Sequence, residues 1–174
     1  IGLEFGGVFR NCTIWVNGFE VLTHESGYTG FWCEMTDILR YGDEGENVIL
    51  VRVDAREYEG WWYEGAGIYR KVWLEVSEKV HLARHGVYVA AEEVTHECAK
   101  IKAELTVENE ANQSGLYDIE GKILDMQGEV CAKFSARAEV DQKDSNTYTV
   151  ECQVQAPALW SPEHPYLYCL DIKL

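Results

Sequence analysis

Aromatic and acidic side chains are concentrated in one short segment of the chain, residues 56–65. The segment is rich in glycine and lacks the apolar–polar alternation of its flanks, which predicts a loop. Aromatic rings stack on the C–H faces of sugars, and carboxylates accept hydrogen bonds from sugar hydroxyls. Two roles are open for this loop: its rings pack a domain interface, or the loop contributes to a saccharide-binding pocket. The candidate contact residues are Glu59, Trp61, Trp62, Tyr63 and Glu64.

Other patterns of catalytic or metal-binding residues are missing from the sequence. The five histidines are dispersed, and although His81 and His85 have a spacing that suits one helix face, both fall in predicted strand or loop. Glu92 and Glu93 point to opposite faces of a strand, which indicates a solvated turn rather than an acid–base pair. The sequence has no Ser-His-Asp elbow, phosphate loop or dinucleotide fingerprint. We predict no catalytic residue, no metal and no cofactor for this chain.

Three further residues are assigned structural roles. Arg70 shares one face of its predicted strand with apolar residues, so its guanidinium is expected to point inward. A buried guanidinium needs an acceptor, and Asp37 or Asp54 is the expected partner in a structural salt bridge. Trp160 precedes a proline-fixed turn, and we expect it in the turn and core of a sandwich.

The chain is strongly acidic. Its 174 residues include 30 acidic and 15 basic side chains, which gives a formal net charge of -15. Such a negative field repels phosphate backbones and anionic lipid headgroups. We therefore expect no nucleic acid partner and no membrane partner, and no apolar run is long enough to predict a membrane span.

The six cysteines are scattered singly, without a Cys-x-x-Cys pair or metal-ligand spacing. Isolated cysteines on strands behave as small hydrophobic residues, so we expect reduced thiols in a reducing compartment and a cytoplasmic protein. Cys12 and Cys33 are expected to be buried. Two sequons, at Asn11 and Asn112, leave a secreted protein as the alternative.

Apolar–polar alternation with a period of two dominates the chain, which predicts an all-β fold without a long helix. The alternation is clear at residues 100–108 and 147–154, where it is typical of half-buried strands. Asn17 and Gly18 predict a tight two-residue hairpin, because both residues accept a positive φ.

A charged segment at residues 77–79 interrupts the alternation and predicts a domain boundary. Residues 1–78 contain too few predicted strands for a closed sandwich. Residues 79–174 contain short strands separated by turn signals, which is typical of an immunoglobulin-like β-sandwich. Both ends fall within predicted strands, so we expect a piece of a longer protein whose last strand is incomplete or missing.

The alternation also predicts which residues face each core. In the first unit these are Ile14, Val16, Val51, Val53, Ile68, Val72 and Leu74. In the second unit they are Ile101, Leu105, Val107, Ile119, Val150, Val154 and Leu170.

An ordered set of short motifs runs along the chain. They are GVFRN at 7–11, WVNG at 15–18, GYT at 27–29, TD at 36–37, EN at 46–47, VRV at 51–53, WWYEGAGIYRKVW at 61–73 and WSPEHPYLY at 160–168. All but the last resemble the amino-terminal sugar-binding domain of glycoside hydrolase family 2. The last is similar to a motif near the end of that family's immunoglobulin-like domain.

The resemblance implies a partial jelly-roll, galactose-binding-like sandwich followed by an immunoglobulin-like sandwich. It also implies a parent protein with a (β/α)₈ barrel whose glutamates perform retaining hydrolysis of β-galactosides, β-glucuronides or β-mannosides. The sequence of residues 61–70 is most similar to that of the galactosidase branch, although Glu64 stands where many members carry proline. The expected partners are a carbohydrate and the catalytic barrel of the same polypeptide, with the loop 56–65 toward the barrel's mouth.

Two other functions are compatible with the sequence. A stand-alone carbohydrate-binding module would use the same aromatic loop, and an adhesion or interaction protein would use the two sandwiches themselves. Natural termini with complete domains would favour the module, whereas a signal peptide or disulfides would favour the adhesin.

An incomplete first unit predicts self-association of the chain into a homo-oligomer. Open sheet edges carry unpaired backbone groups that a second copy can bind, and residues 1–10 and 31–35 are the expected contacts. Because the acidic copies repel each other, association is expected to strengthen as salt screens the charge. Sedimentation of the purified chain from low to high salt measures this, and a strict monomer under all conditions would contradict it.

Overall fold

The structure is a computed structural model that describes residues 1–58 and 60–174. The chain divides into two compact units, Ile1–Ser77 and Glu78–Leu174. The described residues are organised in β-strands, and their one helical element is a short 3-10 helix at Thr36–Ile38. No helix in this part of the chain is long and apolar enough to cross a membrane. The predicted all-β fold class is confirmed.

Short antiparallel strands build the first unit. They are β1 (Gly2–Phe5), β2 (Val8–Phe9), β3 (Cys12–Val16), β4 (Phe19–His24), β5 (Phe31–Glu34), β6 (Ile49–Val53), β7 (Gly67–Ile68) and β8 (Val72–Glu75). The sheets have the orders β5-β1-β8, β4-β3-β6 and β2-β7. The expectation that residues 1–10 present an open edge is wrong for β1, because this strand pairs with β5 on one side and β8 on the other.

The hairpin between β3 and β4 turns at Asn17 and Gly18, as predicted, with positive φ angles of 51° and 91°. The Asn17 side chain also ties the hairpin to the segment before β6. Its Nδ2 donates to the Ile38 carbonyl at 2.8 Å, and its Oδ1 accepts from the Val48 amide at 3.0 Å. One side chain therefore holds both the turn and the start of β6, the strand that leads into the candidate loop.

The core of the first unit includes alternate residues of β3. Ile14 and Val16 are fully buried, and Val51 and Val53 of β6 pack against the same cluster. These four predicted core residues are confirmed.

The prediction that Ile68, Val72 and Leu74 belong to this core is wrong, since 48%, 39% and 64% of their surfaces are exposed. They lie on β7 and β8, which are strands at sheet edges. At an edge, an inward-facing side chain has a neighbouring strand on one side only, so it stays partly open to solvent.

Cys12 and Cys33 are buried in the first unit, as predicted. Burial disfavours the thiolate, which raises the pKa of both thiols above its ordinary value. The two side chains therefore act as small apolar core residues.

The second unit is a sandwich of two antiparallel sheets. Its strands are β9 (Val80–Glu92), β10 (Cys98–Asn109), β11 (Gly115–Leu124), β12 (Val130–Val140), β13 (Asp144–Gln155) and β14 (Cys169–Lys173). One sheet has the order β13-β10-β9 and the other β12-β11-β14. Leu105 and Val107 of β10 meet Ile119 of β11 in the core. Every predicted core residue of this unit is buried or half-buried, which confirms that set.

Trp160 lies outside this core, contrary to the prediction. Its side chain is 60% exposed and lines an apolar groove of about 480 Å³ in the second unit, with Tyr166 and Tyr168 nearby along the same wall. The segment between β13 and β14 forms no strand in the described structure. Trp160 is therefore not part of a sheet face that packs into the core.

The Leu105→Ala substitution is expected to lower the free energy of unfolding of the second unit by about 3 kcal/mol, because it leaves a cavity in a packed core. Leu116→Ala is the matched control, since Leu116 is 59% exposed, and its cost is expected to stay below about 1 kcal/mol. Urea unfolding of both variants measures the difference. Equal losses would show that the core is assigned to the wrong residues.

Candidate functional site

The candidate site is the loop between β6 and β7, which carries the aromatic side chains selected from the sequence. Trp61 and Tyr63 are fully exposed, and Trp62 is 59% exposed. Glu64 is half-buried, and Glu59 lies outside the described residues. The rings are thus offered to solvent rather than packed in the core of the first unit.

An ion pair stabilises the beginning of the loop. Arg56 donates from Nε and Nη2 to the two carboxylate oxygens of Asp54, at 2.7 Å and 2.5 Å. Arg52 adds a more distant contact to the same carboxylate at 3.4 Å. The hydrogen bonds from the Arg56 side chain hold the pKa of Asp54 at about 2, below the usual 3.8.

A buried arginine holds the next residues of the loop. Arg10 follows β2 and is only 7% exposed, and its Nη2 donates to the backbone carbonyl of Glu57. The main chain adds to this contact, since the Asp54 amide donates to the Arg10 carbonyl at 3.1 Å. Asn11 donates from Nδ2 to the Asp54 carbonyl at 3.3 Å. Residues 10 and 11 therefore bind the loop at Asp54 and at Glu57.

The end of the loop is joined to β2 through β7, because Val8 pairs with Ile68. Beyond it, the Tyr69 hydroxyl donates to the Gly27 carbonyl at 2.7 Å. Gly27 lies under the Phe9 ring, where a Cβ atom would come within 2.2 Å of a ring carbon. Both ends of the loop are therefore attached to the same short region around β2.

The predicted role of Arg70 is wrong. Its side chain is exposed, and its guanidinium lies over the Tyr69 ring at 5.4 Å from the centroid. The expected partners lie elsewhere, since Asp54 binds Arg56 and Asp37 is exposed on the 3-10 helix. Arg70 follows β7 at a sheet edge, so it does not face the core.

Sequence analysis missed Arg10 as the buried arginine of this unit. No local pattern identifies it, because Arg10 lies in the bend that follows β2, outside the strands whose alternation shows which side chains share a face. Val8 is fully buried. Arg10 lies two residues further along, and its burial is decided by how the bend after β2 packs against the loop.

The described part of this loop offers a surface for binding. Exposed rings provide flat apolar faces, and the attached backbone limits their positions. Across residues 1–58 and 60–174, no group of three or more His, Cys, Asp or Glu side chains is arranged to hold a metal ion.

Comparison with known proteins places the chain beside sugar-cleaving enzymes. A family model described as glycosyl hydrolases family 2 matches residues 80–174. A β-galactosidase from Bacteroides ovatus is 31% identical over 99% of this chain, which spans 20% of that protein. A β-glucuronidase from Formosa agariphila is 27% identical over 95% of this chain, which spans 19% of it. The chain thus spans about a fifth of the length of these relatives.

Solved structures of the same family are similar to this chain. A glycosyl hydrolase family 2 member from Bacteroides cellulosilyticus superposes with a TM-score of 0.92 and 32% identity, over 97% of this chain and 23% of that one. A β-glucuronidase from glycoside hydrolase family 2 also reaches a TM-score of 0.92, at 25% identity, over 99% of this chain and 20% of that one.

The ion pair at the start of the loop predicts a measurable shift in acidity. Arg56→Gln removes the two hydrogen bonds to Asp54, so the pKa of Asp54 is expected to rise from about 2 toward 3.8. Because the folded-state pKa is lowered, the pair stabilises the fold fully above about pH 4 and loses its effect as the pH falls toward 2. Carboxyl ¹³C shifts followed by pH titration measure this. Arg52→Gln is the control, and an equal or larger rise in that variant would contradict the assignment.

Proposed function

The chain belongs to glycosyl hydrolase family 2, and from this premise we propose that it is the non-catalytic, amino-terminal portion of a retaining β-glycosidase. One observation carries the proposal: the chain matches a β-galactosidase along 99% of its own length but only 20% of that protein's. Retaining hydrolysis needs two carboxyl groups about 5 Å apart across the scissile bond. In this family a (β/α)₈ barrel supplies them, and residues 1–174 contain no motif that matches it.

The proposed role of the chain is to brace that barrel and to help shape its sugar pocket. The support comes from the loop between β6 and β7, which presents exposed rings on an attached backbone. Trp61, Trp62 and Tyr63 would stack on sugar faces, while Glu64 and Glu59 would accept hydrogen bonds from hydroxyls. A loop whose backbone is held before binding loses less conformational freedom when sugar binds, which suits it to this task.

We propose a β-galactoside as the substrate of the parent protein. The sequence of residues 61–70 supports a β-galactoside. The similarity to β-galactosidases from Bacteroides ovatus and Thermoanaerobacter pseudethanolicus, each 31% identical to this chain, supports it as well. A β-glucuronide is the competing substrate, because β-glucuronidases occur among the relatives.

A stand-alone carbohydrate-binding module is the second candidate. The observation in its favour is the exposure of the rings within the first unit. Isothermal titration of the isolated chain with galactose and with β-linked galacto-oligosaccharides distinguishes the two roles. A module binds saccharide by itself, whereas a bracing portion needs the barrel to complete the pocket.

In the full-length protein, Trp62→Ala is expected to raise KM for an aryl β-galactoside about three- to tenfold with little change in kcat, because stacking contributes similarly to the substrate and the transition state. Phe19→Ala is the control, since Phe19 is 62% exposed at the distant β3–β4 hairpin. The isolated chain is expected to hydrolyse none of the aryl β-galactoside, β-glucuronide or β-mannoside. Turnover by that chain that a point change in it abolishes would refute the non-catalytic assignment.

A further inference from the structure

Arg10 is a charged residue in an unusual environment for its type. It is 7% exposed and lies two residues after Val8, which is completely buried. A guanidinium removed from water destabilises the folded state unless its N–H groups find acceptors. The groups that accept hydrogen bonds from Arg10 therefore indicate which part of the fold its burial stabilises.

One of those acceptors is the backbone of the aromatic loop. Nη2 of Arg10 donates to the Glu57 carbonyl, which lies four residues before Trp61 and five before Trp62. The carbonyl of Arg10 accepts from the Asp54 amide at 3.1 Å. The side chain and the main chain of a single residue thus bind two points of the loop that are three residues apart.

The surface ion pair at the same end of the loop is a weaker restraint. Arg56 and Asp54 have 83% and 25% of their side-chain surfaces exposed, so water and salt screen their attraction. The Arg10 contact is part-buried, and salt screens a charged donor in such a place much less than it screens an exposed ion pair.

From these contacts we propose that Arg10 is a positioning residue for the loop. It holds the Glu57 carbonyl so that Trp61 and Trp62 keep one orientation toward the sugar, and it does not touch the sugar itself. The part of this inference that concerns sugar rests on the function proposed above. The part that concerns the order of the loop stands on the geometry alone.

The order of the loop is tested in the 174-residue chain by NMR amide order parameters at residue 57 and residues 60–63. In the unchanged chain they are expected near the rigid value of about 0.85, and in Arg10→Met they are expected to fall below about 0.6. Arg10→Lys, which keeps the charge but offers no planar fork, is expected to lie in between. If Arg10→Met fails to fold, the order parameters of Arg10→Lys decide whether Arg10 orders the loop.

The control is Arg137→Gln, which removes an exposed cation from β12 of the second unit and should leave the loop order parameters unchanged. Amides of β3 report on the core in every variant. Order parameters that stay near the wild-type value in Arg10→Lys and Arg10→Met would overturn the proposal. A uniform decrease over β3 and the loop would also overturn it, since Arg10 would then support the whole unit.

The link to sugar is tested in the full-length protein. Arg10→Lys is expected to raise KM for the aryl β-galactoside several-fold, with kcat nearly unchanged and little dependence of the effect on salt. If Trp62→Ala raises KM but Arg10→Lys does not, positioning by Arg10 is refuted. If Trp62→Ala itself leaves KM unchanged, the sugar role of the loop is refuted instead, and the order parameters alone decide whether Arg10 holds the loop.

Discussion

Burial of one face of each antiparallel sheet is the constraint on which the rest of this structure depends. In the first unit, β3 contributes Ile14 to the core, and the hydrogen-bond register places Val51 of β6 opposite it. In the second unit, Leu105 of β10 pairs with Tyr148 of β13 while its side chain packs into the core. A slip of one residue would turn every apolar side chain to solvent, so hydrophobic burial sets the register.

The same constraint explains how an exposed loop acquires a defined backbone. Arg10 is buried in the bend that follows β2, and the fold must then satisfy a buried guanidinium. The Glu57 carbonyl is one of the groups that satisfies it. A requirement of the core therefore determines the path of the chain at the site, a few residues before the exposed tryptophans. Binding residues on loops held by a rigid sheet scaffold are a common arrangement for this reason.

Both units also leave apolar surface open in ways that suit the proposed bracing role. On β8, the apolar side chains of Val72 and Leu74 are 39% and 64% exposed. In the second unit, Trp160 lines an apolar groove. Surfaces of this kind are suited to contact with further parts of a larger protein, and the chain spans only about a fifth of the relatives it matches.

The sequence by itself determined the all-β class, the hairpin at Asn17, the core of the second unit and the family, because each depends on local pattern or on ordered motifs. It did not determine which strands are central and which lie at an edge. The tertiary structure alone decided that Leu74 is exposed, that Trp160 lines a groove and that the buried arginine is Arg10 rather than Arg70. The physical reason is that alternation shows which side chains share a face, whereas burial of that face depends on which strands pair beside it.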